Sequence, residues 1–401
     1  MASYKYSVYN SQKQGGRGGS GGGNRGRSGG GKRRGEYINP DRFIQAASPI
    51  EETTYESKHT FADFQVASVI HDNLTAKGYE IPSAIQDQTI PMALEGHDMI
   101  GIADTGTGKT AAFGIPIAHS LIANPHSKAL IVAPTRELAQ QIEDEMRSIA
   151  KGGGFTGALL IGGTGMGPQL RDLRAKPRIV IGTPGRIKDH MERGTLHLEQ
   201  FNMVVLDEVD RMLDMGFVND VSFILDSMNP IRQSFFFSAT MDSRVQALIG
   251  TFSKDPKTVS VKSGDSSRNV NQDIVRANGT SDKMAKLHDI LLDPNVSKVI
   301  LFDETQRSVE RLSNELVARG FKADAIHGGK SQGQRQRALD AFKASKTNIL
   351  VATDVAARGI DVKDISHVIN FSQPQSYQDY VHRIGRAGRA GKIGHALTFV
   401  N

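Results

Sequence analysis

From Phe61 onward, short aliphatic runs alternate with segments whose apolar positions recur at helical spacing. Met99-Ile100-Gly101-Ile102, Ala129-Leu130-Ile131-Val132, Arg178-Ile179-Val180-Ile181, Met203-Val204-Val205-Leu206 and Ser234-Phe235-Phe236-Phe237 read as strands. These runs are continuous rather than alternating, the pattern of parallel strands buried on both faces. After Pro134, residues Leu138, Ile142, Met146 and Ile149 form one apolar stripe and predict a helix. A second series of strands follows: Lys298-Val299-Ile300-Leu301-Phe302, Asn348-Ile349-Leu350-Val351 and His367-Val368-Ile369. Between the two series lies a polar stretch from Asp255 to Gln272, with Ser263-Gly264-Asp265-Ser266-Ser267 at its middle. It reads as a linker. The expected class is therefore α/β, with two tandem domains on parallel sheets. The first spans residues 56–258, the linker 259–272 and the second 273–401. The second series resembles the first in layout, without a fixed-period repeat.

Composition narrows the class. The 401 residues include no Cys, which excludes disulfides, thiolate zinc sites, iron–sulfur clusters and a Cys nucleophile. The longest apolar runs are strand length, far short of the ~18 residues of a spanning helix. The start, Met1-Ala2-Ser3-Tyr4-Lys5-Tyr6, has no apolar core of a secretory signal. The expectation is a cytoplasmic protein without a membrane segment.

The net charge of +6 is unevenly placed. Residues 1–35 hold eight basic residues and no acidic one, together with 12 of the 42 Gly. The remainder carries 41 basic against 43 acidic side chains, a net of −2. Residues 1–55 are thus expected to be a basic Gly/Arg-rich tail and lead-in, disordered for want of apolar surface to bury. Gly16-Arg17-Gly18 and Arg25-Gly26-Arg27 fit a flexible polyanion-binding arm. A solvating tail or a linker fits the same composition.

Ala103-Asp104-Thr105-Gly106-Thr107-Gly108-Lys109-Thr110 follows a strand and opens a helix, the context of a phosphate-binding loop. Its glycines let backbone N–H groups curl around phosphate oxygens at a helix N-terminus. Lys109 would reach the β- and γ-phosphates, and Thr110 would hold Mg²⁺. A strict loop of this kind begins with Gly where Ala103 stands; a plain Gly-rich turn is the alternative. Asp207-Glu208-Val209-Asp210 follows the Met203 strand. An Asp there can hold Mg²⁺, and a neighbouring Glu can orient and deprotonate an attacking water. A solvated acidic strand end is the blander alternative. The second domain has no such loop but carries Tyr380-Val381-His382-Arg383-Ile384-Gly385-Arg386-Ala387-Gly388-Arg389. Arginines that meet a γ-phosphate across a cleft account for this cluster, with a solvated Arg-rich face as the alternative.

Together these motifs resemble a DEAD-box RNA helicase of superfamily 2, with Asp-Glu-Val-Asp at the acidic motif, from about Phe61 to the end. The resemblance implies tandem RecA-like domains. Phe61 and Gly78-Tyr79-Glu80-Ile81-Pro82-Ser83-Ala84-Ile85-Gln86 resemble the family's adenine-recognition motif. It implies stacking of Phe61 on adenine, Tyr79 at the nucleotide and a bidentate adenine contact from Gln86. Pro134-Thr135-Arg136, Gly162-Gly163 and Thr183-Pro184-Gly185-Arg186 resemble its RNA-backbone motifs. In the second domain, Gly328, Gln332, Arg335 and Thr353 are implied RNA contacts, and Asp361 a nucleotide ribose contact. Arg386 and Arg389 are the implied γ-phosphate arginines. Ser238-Ala239-Thr240, Asp210 and His382 are the implied coupling elements.

The resemblance further implies ATP with Mg²⁺ as cofactors, sequence-independent RNA binding and RNA-stimulated hydrolysis. Local unwinding of short duplexes or remodelling of RNA–protein complexes would follow, with ribonucleoprotein or RNA-decay partners. Three departures stand out. Val209 replaces the usual Ala. Asp303 and Glu304 make a strand end unusually acidic. The chain stops at Asn401 inside the expected last strand, so a closing helix and any appended C-terminal RNA-binding domain are expected to be missing. Two rival activities remain open: a DNA-acting helicase or translocase, and an RNA clamp that binds ATP without turnover.

Overall fold

The computed structural model describes residues 38–48, 55–104, 106–261, 269–357, 362, 364–388 and 392–400. The basic tail of residues 1–35 therefore lies outside the described residues, as do Thr105, Asp361 and Arg389.

Thirteen described strands form two all-parallel sheets. The first holds β1 (Met99–Ala103), β2 (Ala129–Val132), β3 (Gly157–Leu160), β4 (Ile179–Gly182), β5 (Met203–Asp207), β6 (Gln233–Ser238) and β7 (Lys257–Val261). Their order is β3-β4-β2-β5-β6-β1-β7. The second holds β8 (Val270–Arg276), β9 (Val299–Phe302), β10 (Ala323–Ile326), β11 (Ile349–Ala352), β12 (His367–Asn370) and β13 (Gly394–Val400). Their order is β10-β11-β9-β12-β13-β8. Each is a doubly wound α/β sheet.

The continuous apolar runs have the expected physical cause. Ile131, Val205, Phe235 and Phe237 enter one hydrophobic cluster of the first sheet, while Leu130, Val204, Leu206 and Phe236 enter another. Successive side chains point to opposite faces, and helices cover both. The second sheet repeats this, with Val299 and Leu301 in one cluster and Ile300 and Phe302 in the other. The predicted helix runs Arg136–Ile149 and buries Leu138, Ile142, Met146 and Ile149; Thr135 caps it by accepting from Leu138 N. Val209 is fully buried in the first sheet's second cluster, so the larger side chain fills core volume.

Two expectations change. The polar stretch from Asp255 to Gln272 is not linker throughout. β7 registers along β1 from Lys257 to Val261 with Val259 buried, and β8 registers along the whole of β13. Both are edge strands with one sheet neighbour, so half their positions stay polar and the apolar run that marks an inner strand is absent. The lead-in also departs from expectation. A short 3-10 turn at Pro40–Phe43 buries Phe43. Gln45 then forms an antiparallel bridge with Gln272 of the second sheet.

Candidate active site

Apart from the Phe61 and Gly78–Gln86 motif, which precedes β1, the predicted chemical motifs of the first domain with described residues on a loop sit at the carboxyl end of a strand. This is where open parallel sheets bind ligands. The phosphate loop follows β1, Asp207 ends β5, and Ser238 ends β6. On the other flank, Pro134–Arg136 follow β2, Gly162-Gly163 follow β3, and Thr183–Arg186 follow β4. The strand order therefore sorts the motifs into a nucleotide half (β5-β6-β1) and a second half (β3-β4-β2).

In the nucleotide half, β1 ends at Ala103, whose backbone O accepts from Lys109 Nζ at 2.8 Å. Ala103 fills a buried strand position, so a side chain is tolerated where the strict loop has Gly. The loop then turns through Gly106 (φ +87°) and Gly108 (φ +93°), conformations that favour glycine. Gly108 caps the helix Lys109–Ala123. A side chain at Gly108 would run into the Gln86 amide. Gln86 itself is a clasp. Its Oε1 accepts from Ser83 N at 2.8 Å and its Nε2 donates to Gly108 O at 3.1 Å, while Ser83 Oγ donates to Thr107 O at 2.7 Å. Both ends of the amide expected to read adenine are thus occupied in fixing the loop. Phe61 is buried and stacks on Tyr79 at 5.3 Å between ring centroids. Tyr79, rather than Phe61, lines the cleft.

Asp207 is 2% exposed, and its Oδ1 has no hydrogen-bond partner. Burial pushes its carboxyl up to about 6, with Glu208 adding to the shift and Lys109 opposing it. A desolvated carboxylate with an orphaned oxygen fits a cation, and Thr110 stands at the start of the adjoining helix. Glu208 adopts a left-handed backbone conformation (φ +57°, ψ +55°), sterically costly for a non-glycine residue. This bend turns the chain from β5 into the helix Val209–Asp214 and leaves the Glu208 carboxylate bonded to Arg211. Arg211 is absent from the sequence reading; its place three residues along the helix from Glu208 was the available signal. Asp210 Oδ2 accepts from Thr240 N and Oγ1, each at 2.9 Å, and Asp210 N donates to Ser238 Oγ at 3.2 Å. The acidic motif and Ser238-Ala239-Thr240 are one bonded unit.

A cleft of about 300 Å³ is lined by Tyr79, Gly108, Lys109, Asp207 and Glu208 from the first domain and by Arg386 from the second. Arg386 follows the helix Tyr377–Ile384. Arg383, on that helix, does not face the cleft as a free cation. It clamps Asp354 through Nε at 2.5 Å and Nη2 at 2.7 Å, and Nη1 donates to Asn370 Oδ1 and Ser372 O. This clamp relieves part of the charge repulsion expected of the cluster. His382 lines a small cavity of the second domain together with Asp354, Asp379 and Arg386.

In the other half, the Arg136 guanidinium packs on Gly162 and Gly163. A Cβ on Gly163 (φ +76°) would lie 2.1 Å from Arg136 Nη1. Arg186 Nη2 donates to Thr164 O at 3.4 Å, and Thr183 and Pro184 open the helix Pro184–Glu192. The three loops converge on one surface. In the second domain Gly328 follows β10 and Thr353 follows β11, adjacent strands at the matching flank. Arg335, expected to contact RNA, also meets the first domain. It is buried, and its Nη2 lies 2.8 Å from Glu137 Oε1 of the first domain. Gln332 and Thr353 are buried as well. Asp303, at the unusually acidic strand end, is also buried, and its Oδ1 accepts from Glu304 N.

A phosphate loop, an acidic pair and a cross-domain arginine over one cleft define a two-domain P-loop nucleotide-binding protein. Comparison with known proteins makes the class specific. Residues 83–248 match the DEAD/DEAH box helicase family and residues 282–391 the helicase conserved C-terminal domain. The ATP-dependent RNA helicase CshA of Limosilactobacillus reuteri is 42% identical over 344 residues, covering 85% of this chain and 69% of that protein. The DEAD-box ATP-dependent RNA helicase CshA of Bacillus subtilis (strain 168) is 42% identical over 347 residues, with the same coverage. Among solved structures, S. cerevisiae Dbp5 bound to RNA and ADP BeF3 overlays with a TM-score of 0.73 at 27% identity, covering 85% of this chain and 89% of that one. A DEAD box protein from Methanococcus jannaschii overlays at 0.50 with 38% identity, covering 85% and 93%. The chain belongs to the DEAD-box RNA helicase family, and its two sheets are the tandem RecA-like domains of that family. Among the described residues no helix is long and apolar enough to cross a membrane.

Proposed function

We propose that this protein is an ATP-dependent RNA helicase that couples RNA-stimulated ATP hydrolysis to local melting of short duplexes or to remodelling of RNA–protein complexes. The observation that carries this reading is the division of the site. Lys109, Asp207 and Glu208 lie on one domain and Arg386 on the other, around one cleft. Neither domain alone holds all the charges that stabilise phosphoryl transfer, so approach of the domains assembles the site.

In this reading the phosphate loop and Lys109 hold the phosphate chain. Tyr79 packs against the base, with Phe61 behind it. Gln86 keeps the loop in register and reads adenine when its amide turns to the base. Thr105 and Asp361 complete the nucleotide contacts. Asp207 and Thr110 would hold Mg²⁺, which when bound offsets charge on the β- and γ-phosphates. Glu208 orients the attacking water and takes its proton, with Arg211 fixing the carboxylate. Arg386 and Arg389 meet the charge that develops on the γ-phosphoryl group. Pro134, Thr135, Arg136, Gly163, Thr183, Pro184 and Arg186 form the first domain's RNA surface, continued by Gly328, Gln332, Arg335 and Thr353. Contacts to phosphates and 2′-hydroxyls give sequence-independent binding that favours RNA. Asp210, Ser238 and Thr240, with His382, carry the state of the nucleotide to that surface. We place the protein in the cytoplasm, among ribonucleoprotein or RNA-decay partners.

Lys109→Ala and Glu208→Gln test the assignment. Each is expected to abolish RNA-stimulated ATPase, with Glu208→Gln still binding ATP. Retained turnover in both variants would sink the site.

A further inference from the structure

We infer that residues 38–48 are a positioning element for the arginine-bearing helix Tyr377–Ile384, with Phe43 as its principal contact. In the chain this segment precedes the first domain, yet it packs on the second. Phe43 is fully buried in a cluster with Val270, Tyr380, Ile384 and Ala396. Its ring lies 4.6 Å from that of Tyr380, and the Arg42 guanidinium sits 3.7 Å over the Tyr377 ring. Backbone bonds fix the segment to the outer edge of β8. Gln45 N donates to Gln272 O at 3.0 Å, Gln272 N donates to Gln45 O at 2.8 Å, and Ala47 N donates to Asn271 Oδ1 at 2.7 Å.

Gln272 links this edge to the helix. Its Oε1 accepts from Tyr380 Oη at 2.9 Å, and its Nε2 donates to Gln45 Oε1 at 3.4 Å. Tyr380 and Ile384 are one helical turn apart and share the face turned to Phe43. Arg383 points elsewhere, into its clamp with Asp354. The helix is thus held from two sides, by Asp354, which opens the short helix after β11, and by Phe43 from the segment. Two residues after Ile384 comes Arg386, which lines the ATP cleft. A shift of the helix moves that guanidinium directly.

The same stretch of chain next meets the other half of the site. Tyr55 Oη donates to Asp87 at 2.5 Å, Lys58 N donates at 2.9 Å and His59 Nδ1 lies 2.7 Å away. Asp87 adjoins Gln86, the clasp on the phosphate loop. Residues that precede the first strand therefore brace the elements that carry the nucleotide contacts on each domain. None of these residues touches the reacting atoms; their role is positional.

The inference rests on the ATPase reading above, so the experiment separates the two. Steady-state ATPase of the full chain is measured with saturating poly(U) RNA for the parent, Phe43→Ala, Phe43→Leu and Gln45→Pro. The temperature is set below each variant's melting transition. Gln45→Pro removes one backbone donor at the surface and leaves the Phe43 site filled, so it reports even where Phe43→Ala fails to fold. Misplacing a catalytic group by about 1 Å costs up to about a hundredfold in rate. A fall in kcat of about tenfold is expected for Phe43→Ala, with the KM for ATP held by the first domain and unchanged. Phe43→Leu should restore much of the loss, and Gln45→Pro should move kcat the same way. Parental kcat in folded Phe43→Ala and Gln45→Pro would overturn the positioning role, even with a lowered melting temperature. A parent without RNA-stimulated turnover would instead overturn the ATPase reading, and the inference with it.

Discussion

The Glu137–Arg335 pair shows how a residue's surroundings decide its role. Read as sequence, Arg335 belongs to a set of RNA contacts; in the fold it is buried on a carboxylate of the other domain. A basic residue in a sequence does not say which anion it meets. Removing one member of a buried pair leaves an uncompensated charge, at a cost of about 3–5 kcal/mol where burial is complete. Arg335→Met alone should therefore depress RNA-stimulated turnover, and Glu137→Gln with Arg335→Met should recover part of it. The double-mutant coupling energy should reach about 1 kcal/mol or more. Additive effects of the two changes would show that Arg335 acts on RNA independently of Glu137. By contrast Lys109, Asp207 and Glu208 were legible, because loop, strand end and helix start constrain their chemistry locally. Arg211 was marked only by its spacing of three from Glu208, and the Arg383–Asp354 clamp needed the fold to bring its partners together.

At the level of elements, inner strands were legible and outer ones were not. β1, β2, β5, β6, β9, β11 and β12 appear in the sequence as apolar runs because helices bury both their faces. The outer strands β7, β8 and β10 carry polar positions, and β3 is a four-residue, partly exposed Gly-Ala-Leu-Leu run; all four were missed. The ends of β12 and β13 also bring together two histidines that the sequence keeps apart. His367 and His395 stack at 4.8 Å between ring centroids. Burial, reinforced by His395, holds the His367 imidazole down at about 4, with Asp293 opposing; burial also lowers His395. Above the ordinary histidine value, near 6.5, both states are neutral and the pair has no effect on stability. As pH falls from there toward 4, the unfolded chain binds protons that the folded one refuses, and stability declines by roughly 3 kcal/mol for His367 before levelling off. Melting temperature followed from pH 7 to pH 4 should therefore fall less steeply in His367→Gln than in the parent. Parallel curves would remove the histidine pair from the account.

At the scale of the whole molecule, each sheet gathers its chemistry at one edge and divides it by strand order. The nucleotide half of the first sheet shares a cleft with Arg386, and the Glu137–Arg335 contact joins the other halves. The charge has a similar division. Apart from residues 1–35 the chain carries a net of −2, so in the proposed function attraction of the core to RNA rests on placed residues such as Arg136 and Arg186 rather than on bulk charge. We propose that the eight basic residues of the tail supply a salt-sensitive tether. Deleting residues 1–35 should weaken RNA binding and flatten the dependence of log K on log salt, by about 0.7 for each single-strand phosphate that the tail no longer neutralises. An unchanged slope would make the tail a bystander. The two parallel sheets were legible from the two series of apolar strands. The docking of Phe43 on the second domain was not, since one aromatic in a polar lead-in carries no sign of where it lands.

The central claim is that RNA, bound across both domains, drives assembly of the ATP site. Its most direct test is the steady-state ATPase rate of the full chain with poly(U) RNA, with single-stranded DNA of matched length and concentration, and with neither. Turnover should rise several-fold with RNA and little with DNA. Equal stimulation by DNA, or hydrolysis indifferent to nucleic acid, would contradict it.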